Sequence, residues 1–141
     1  MNLFPGMSIT SDGWKGTILL RYNKMVYFVD GNSVASDEVK SNFDVVPDSV
    51  VDVIDMTEYL IKTRVLKNFL LVSDANDLAP KEYVWYETLR YAGRFSLGYV
   101  AGYPTVATKT VLNVISGGKE IVLSPEYVRM IKTGYYFDPS Q

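Results

Sequence analysis

Residues 4–30, FPGMSITSDGWKGTILLRYNKMVYFVD, decide the fold of this 141-residue chain. They contain short apolar runs separated by turn-forming pairs at Asp12-Gly13, Asn23-Lys24 and Asp30-Gly31. Asp-Gly between alternating apolar segments is a strong hairpin signal, because glycine tolerates the positive φ angle that a tight turn requires. The pattern therefore predicts an antiparallel meander, with strands at residues 7–11, 16–22 and 25–29.

The residues that follow extend this meander into a small closed unit. We expect a short strand at residues 33–35, a helical turn that begins at Ser36-Asp37-Glu38, and a closing strand at residues 44–46 before Pro47. Five short strands so close together outline an SH3-like barrel. The sequence thus predicts a small N-terminal antiparallel SH3-like barrel over residues 1–47.

Residues 48–141 are predicted to form a tyrosine-rich α+β region packed with the barrel. The pattern indicates strands at residues 50–56 and 94–103, and a hairpin over residues 110–123 that turns at Ser116-Gly117-Gly118. Two or three short helices are expected, at residues 58–68, at residues 83–91, and from Ser124-Pro125-Glu126 to an end at Gly134. For residues 69–72 a strand is an open alternative. The fold class predicted from sequence is therefore α+β.

Composition excludes several kinds of chemistry. The chain has no Cys and no His, so thiolate nucleophiles, disulfides, Ser-His-Asp triads and His-bearing metal sites are all ruled out. We expect no cofactor, no metal and no catalytic residue, and an enzyme would depend on carboxylates or tyrosine. No apolar run reaches the roughly 20 residues that span a bilayer, and the N-terminus lacks a secretory signal pattern. These features predict a cytoplasmic protein without a membrane partner.

Charge is distributed unevenly along the chain. Residues 1–56 contain four basic and eight acidic groups, a balance of −4, whereas residues 57–141 contain ten basic and eight acidic groups, a balance of +2. An anionic partner is therefore expected to contact the second half. Within that half, Lys62, Arg64 and Lys67 form a small basic cluster that either binds an anion or is a solvated helix face.

Aromatic residues provide the candidate binding surface. Eight of the eleven tyrosines follow residue 82, and Tyr83, Tyr86 and Arg90 have helical spacing, with Arg94 just beyond. Such residues line a core, form a protein interface or stack on nucleic-acid bases, and all three readings remain open. Trp14 and Lys15 lie at a predicted loop tip, where an exposed tryptophan would contact a partner.

Residues 6–20 resemble a known motif. Gly6-Met7-Ser8-Ile9-Thr10, Gly13-Trp14-Lys15-Gly16 and the apolar run Thr17-Ile18-Leu19-Leu20 resemble the KOW motif of SH3-like barrels in transcription and ribosome-associated proteins. The chain departs from that pattern at Thr17 and Ile18, where a further glycine often falls. The resemblance implies association with nucleic acid.

These observations predict a non-catalytic interaction protein. We expect a small subunit or accessory factor of a larger assembly, such as one encoded by a phage, in which case it would lie in the host cytoplasm or the virion. Its partner would be another protein or a second copy of the chain. The alternative is a KOW-like nucleic-acid-binding factor that uses the basic residues of the second half.

Overall fold

A computed structural model describes residues 3–47, 49–56, 71–87 and 93–140. Among these residues 53% lie in strands and 8% are helical, with one α-helix and one short 3-10 turn, Ala75–Asp77. The predicted α+β class with two or three short helices is therefore wrong, since this part of the chain is mostly β and its sheets are antiparallel. Nor does it contain a helix long and apolar enough to cross a bilayer.

The first half forms a five-stranded sheet, the N-terminal sheet, in the order β4-β3-β2-β1-β5. Its strands are β1 (Ser8–Ser11), β2 (Trp14–Tyr22), β3 (Met25–Phe28), β4 (Ser33–Ala35) and β5 (Asp44–Val45), and helix α1 (Ser36–Asn42) lies between β4 and β5. Asp12, Gly13, Asn23 and Lys24 all have positive φ angles, as tight turns between antiparallel strands require. The five strands and the helical turn predicted in this region are confirmed.

The second half forms the C-terminal sheet, in the order β12-β11-β8-β7-β13. Its strands are β7 (Glu82–Glu87), β8 (Arg94–Gly102), β11 (Leu112–Ser116), β12 (Lys119–Leu123) and β13 (Met130–Tyr136), and β6 (Val53–Asp55) pairs with β8. A separate ribbon consists of β9 (Thr105–Val106) and β10 (Lys109–Thr110). The predicted strand at residues 94–103 and the hairpin that turns at Gly117 and Gly118 are confirmed.

Two predicted helices are strands or turns. Residues 82–87 form β7, which pairs with β8 on one side and β13 on the other. This stretch, EYVWYE, is rich in the aromatic and β-branched residues that favour strands. The chain after Ser124 makes one turn and then enters β13. The helix predicted at residues 58–68 lies outside the described residues, as do residues 88–91 of the second predicted helix.

One core connects the two sheets. It contains Leu19 and Leu20 from β2 together with Trp85, Phe95 and Ile131 from the C-terminal sheet, all of them completely buried. Because β2 bulges between Ile18 and Leu20, its ladder with β3 is interrupted at Leu19. There the carbonyl oxygen of Leu19 accepts a hydrogen bond of 2.8 Å from the indole N–H of Trp85. A boundary near residue 47 stays a prediction, but residues on both sides of it share this core.

Replacing Trp85 with Phe should lower the free energy of unfolding by about 2 kcal/mol, because a buried carbonyl loses its donor and the smaller ring leaves a void. Trp14→Phe is the matched control: no hydrogen bond from that indole exists among the described contacts, so its effect should be smaller. Urea unfolding followed by far-ultraviolet circular dichroism measures both. Separate transitions for the two sheets in the unmodified protein would contradict a shared core.

Candidate functional site

A cleft of about 720 Å³ opens where β13 meets the N-terminal sheet. This volume lies within the roughly 300–1,000 Å³ of typical ligand pockets. We call it the junction cleft, and the lining residues that matter most are Phe4, Arg21, Lys40, Tyr83, Tyr135 and Phe137. They come from the segment before β1, from β2, from α1, from β7 and from the end of β13, so the cleft exists only because the two sheets pack together.

A bulge in β13 shapes the cleft. The register of β13 against β7 shifts between Lys132 and Tyr136, and Gly134 inside this stretch has a φ angle of +72°. A Cβ atom at Gly134 would collide with the carbonyl oxygen of Arg21 on β2. Glycine therefore permits both the left-handed backbone and the close approach of β13 to β2.

The buried carboxylate of Glu82 holds this bulge from behind. One of its oxygens accepts the backbone N–H of Gly134 at 3.2 Å, and the other accepts the N–H of Ala79 at 3.0 Å. The ammonium group of Lys132 lies 3.4 Å from the second oxygen. A carboxylate with no solvent exposure is stable only when it is paired and hydrogen-bonded, so these contacts fix the position of the bulge.

Aromatic rings form one wall of the cleft and continue beyond it. We call Phe4, Tyr83, Tyr99 and Phe137 the aromatic cluster; all four side chains are partly buried. Phe137 stacks on Tyr99 with ring centres 4.0 Å apart and an interplanar angle of 5°, and Phe4 stacks on Tyr83 at 6.0 Å. Tyr83 also meets Phe137 edge-on at 6.3 Å. The cluster is a largely apolar surface of rings that pack against one another.

Tyr135 directs a polar group into the interior beside the cleft. Its hydroxyl oxygen is buried and has no hydrogen-bond partner among the described residues. In that part of the chain, it is the one buried side-chain nitrogen or oxygen atom of which this is true. Burial raises the pKa of Tyr135 to about 12, although the nearby positive charge of Arg21 acts in the opposite direction. The phenol therefore stays protonated near neutral pH.

Two cations lie at the cleft on the side of the N-terminal sheet. Arg21 is exposed at the end of β2 and donates from Nε to the hydroxyl oxygen of Ser36 at 3.3 Å. Lys40 is exposed in the last turn of α1. Over the described ranges, neither side chain forms a salt bridge with a carboxylate. Among the described residues that line the cleft, the acid is Asp138, one of whose oxygens accepts two hydrogen bonds from Ser140.

The predicted site residues do not form one surface. Tyr83 lines the junction cleft, but Tyr86 is on the opposite face of β7, because side chains alternate along a strand. The hydroxyl of Tyr86 donates to the hydroxyl of Ser116 at 2.7 Å. Arg94 is exposed on β8, opposite Asp55 of β6. Arg90 lies outside the described residues, as do Lys62, Arg64 and Lys67.

Trp14 and Lys15, the predicted partner-contact residues at the first turn, have different environments. Trp14 is partly buried and packs edge-on against Phe28 at 4.9 Å and Phe43 at 5.8 Å, so its ring belongs mainly to the core of the N-terminal sheet. Lys15 is exposed. Neither residue lines the junction cleft.

Sequence reasoning did not identify Arg21 or Lys40 as site residues, and it included Tyr135 and Phe137 only in the general set of aromatic residues after residue 82. One local signal was present: Gly134 interrupts the run MIKTGYY, and a glycine inside a strand-like run often marks a bulge or a close backbone contact. We interpreted that glycine as the end of a helix. Nothing near Arg21 or Lys40 in the sequence indicates that β13 packs beside them.

Neither protein-family models, curated proteins nor solved structures provide a match to this chain. The resemblance of residues 6–20 to a KOW motif accordingly stays a prediction. The function has to be inferred from the geometry of the cleft.

Replacing Gly134 with Ala should destabilise the protein more than replacing Gly13 with Ala. Both positions have positive φ, which disfavours alanine by about 1–2 kcal/mol, but a Cβ at Gly13 would meet open space. The larger loss at Gly134 comes from the collision with the carbonyl of Arg21. Denaturant unfolding of both variants measures the difference, and equal losses would contradict the tight contact between β13 and β2.

Tyr135→Phe should leave stability at neutral pH unchanged or raise it by up to about 1 kcal/mol, because it removes a buried hydroxyl that has no hydrogen-bond partner among the described residues. The folded state holds the phenolic proton more tightly than the unfolded state, so the unmodified protein should lose stability as pH rises from about 10 to about 12. The part of this alkaline loss of stability that comes from Tyr135 should vanish in Tyr135→Phe.

Unfolding midpoints at several alkaline pH values test this, with Tyr127→Phe as the control at a side chain that is 74% exposed. The control should show the alkaline loss of the unmodified protein. An identical loss in Tyr135→Phe would contradict the raised pKa.

Proposed function

We propose that this chain is a non-catalytic interaction protein, a small subunit or accessory factor, and that the junction cleft binds a protein partner. The observation that carries the proposal is the position of the aromatic cluster beside Arg21 and Lys40 in a cleft of ligand-pocket size. Tyrosine, tryptophan and arginine are enriched among the residues that contribute most to binding at protein interfaces. Aromatic rings in addition present much contact area with little conformational freedom to lose.

The arrangement of the rings favours an apolar protein segment over nucleic-acid bases. Tyr99 and Phe137 cover one face of each other, and Phe4 lies over a face of Tyr83. A base needs an open ring face on which to stack. The stacking contacts cover one face of each ring and so reduce the ring area open to bases, whereas aliphatic or aromatic side chains of a protein can pack against ring edges as well as faces.

Two of the ionisable groups near the cleft, Tyr135 and Glu82, are poorly suited to catalysis. Tyr135 has its pKa displaced away from neutrality, and its hydroxyl is buried. Glu82 is also buried, and its oxygens are engaged by backbone N–H groups and Lys132. A general acid or base needs a pKa near the working pH and reach to a substrate. These environments support a binding role.

The second candidate function is a KOW-like nucleic-acid-binding factor. The observation in its favour is the pair of cleft cations, Arg21 and Lys40, without carboxylate partners in the described part of the chain. Such a factor would bind random single-stranded DNA or RNA, and its affinity would fall steeply with salt as counterions are released.

Selection of a displayed random-peptide library on the full chain tests the protein-binding proposal. We expect peptides that bind the unmodified protein and Tyr127→Ala equally, because Tyr127 is an exposed ring outside the cleft. The same peptides should bind Phe137→Ala at least about tenfold more weakly, as a contact worth about 1.4 kcal/mol implies.

Unfolding midpoints of both variants show whether any loss of binding reflects loss of fold. Failure to select a peptide, or selected peptides that bind Phe137→Ala undiminished, would overturn the cleft as a protein-binding site. Salt-sensitive capture of random oligonucleotides without peptide binding would favour the nucleic-acid alternative.

A further inference from the structure

We infer that the partner segment in the junction cleft presents an acidic side chain, an Asp or Glu whose carboxylate binds Arg21 and Lys40 while a neighbouring apolar side chain packs on the aromatic cluster. This inference rests on the proposed function and narrows it to one class of occupant, an extended acidic segment with apolar neighbours. It follows from how charge, hydrogen bonding and apolar surface are distributed along the cleft.

Positive charge is concentrated at the cleft against an acidic background. The region 1–56 has four basic groups, Lys15, Arg21, Lys24 and Lys40, against eight acidic groups. Two of the four bases line the cleft, and none of the eight acids is among the described residues that line it. A negatively charged group that approaches the N-terminal sheet is therefore favoured at this position over the rest of the sheet's surface.

The two cations retain donors for a ligand. A guanidinium group has five N–H donors, and Arg21 uses its Nε toward Ser36. No described residue accepts a hydrogen bond from its terminal nitrogens, which can meet a carboxylate in the paired geometry that arginine favours. Lys40 adds up to three donors from α1, on the same side of the cleft. Ser36, which is buried, holds the arginine side chain toward α1 and restricts its orientation.

The charge balance matches a single carboxylate better than a phosphate chain. Asp138 lines the same cleft, so the charged side chains of the described lining residues sum to one positive charge. One carboxylate neutralises that charge. A run of phosphates would bring further negative charge against Asp138 and the acidic N-terminal half, which opposes binding.

The aromatic rings at the cleft indicate which residues should lie next to the acidic residue in the partner segment. Phe4, Tyr83 and Phe137 line it, and their rings contact one another at centre-to-centre distances of 6.0 and 6.3 Å. An aliphatic or aromatic side chain beside the acidic residue would bury its surface against these rings. The cleft thus distinguishes an acidic-apolar segment from a purely acidic one.

Two synthetic peptide pools test the inference on the full chain. Both have randomised aliphatic and aromatic positions; one pool has a fixed central Asp or Glu, and the other has Asn or Gln at that position. The C-termini are amidated, so the side chain is the sole source of a carboxylate. We expect the unmodified protein to retain the acidic pool about tenfold more strongly than the amide pool, as a charge-assisted hydrogen bond implies.

Matched charge variants assign the effect to the cleft. Arg21→Gln with Lys40→Gln should abolish the preference for the acidic pool, whereas Lys15→Gln with Lys24→Gln removes the same charge from exposed positions outside the cleft and should keep it. If the first pair alters folding, Lys40→Glu on exposed α1, compared with Lys24→Glu, provides the same contrast.

The outcomes separate the two proposals. Equal retention of both pools, lost in Phe137→Ala, would overturn the carboxylate inference and keep the protein-binding cleft. A preference for the acidic pool that survives Arg21→Gln with Lys40→Gln would also overturn it. Retention of neither pool would count against both proposals.

Discussion

The hydrogen bond from the indole of Trp85 to the carbonyl of Leu19 is the constraint on which the rest of the structure depends. It joins β7 of the C-terminal sheet to the bulge in β2 of the N-terminal sheet, inside the buried core that the two sheets share. Because β13 pairs with β7, fixing Trp85 against β2 also brings Gly134 of β13 beside Arg21. The junction cleft follows from that placement.

Two locally unfavourable features lie beside this cleft. Glu82 is a fully buried carboxylate, and Tyr135 has a buried hydroxyl for which the described residues provide no hydrogen-bond partner. Each of these disfavours the folded state unless neighbouring contacts offset it. Such features typically gather where a protein binds or reacts, because selection retains them for function rather than stability. Their position agrees with the binding role proposed for the cleft.

How far the sequence predicted the fold depends on how local each signal was. The strands of the N-terminal sheet and the hairpin at Gly117-Gly118 were predicted correctly, because their turns are specified by adjacent residues. The stretch EYVWYE carries both a helical spacing, Tyr83 to Tyr86, and a run of strand-forming residues. Pairing of β7 with β8 and β13 decided between them and placed those two tyrosines on opposite faces.

By itself, the sequence determined the N-terminal meander, the second hairpin and the absence of thiol and imidazole chemistry, since each of these depends on residue type or on neighbours in the chain. The tertiary structure determined which residues come together in the candidate site. Of the predicted site residues it placed Tyr83 in the cleft, and it brought Arg21, Lys40 and Phe137 there from distant parts of the chain. Packing of β13 against β2 creates that juxtaposition, and such long-range packing leaves no local pattern beyond a glycine where two backbones meet.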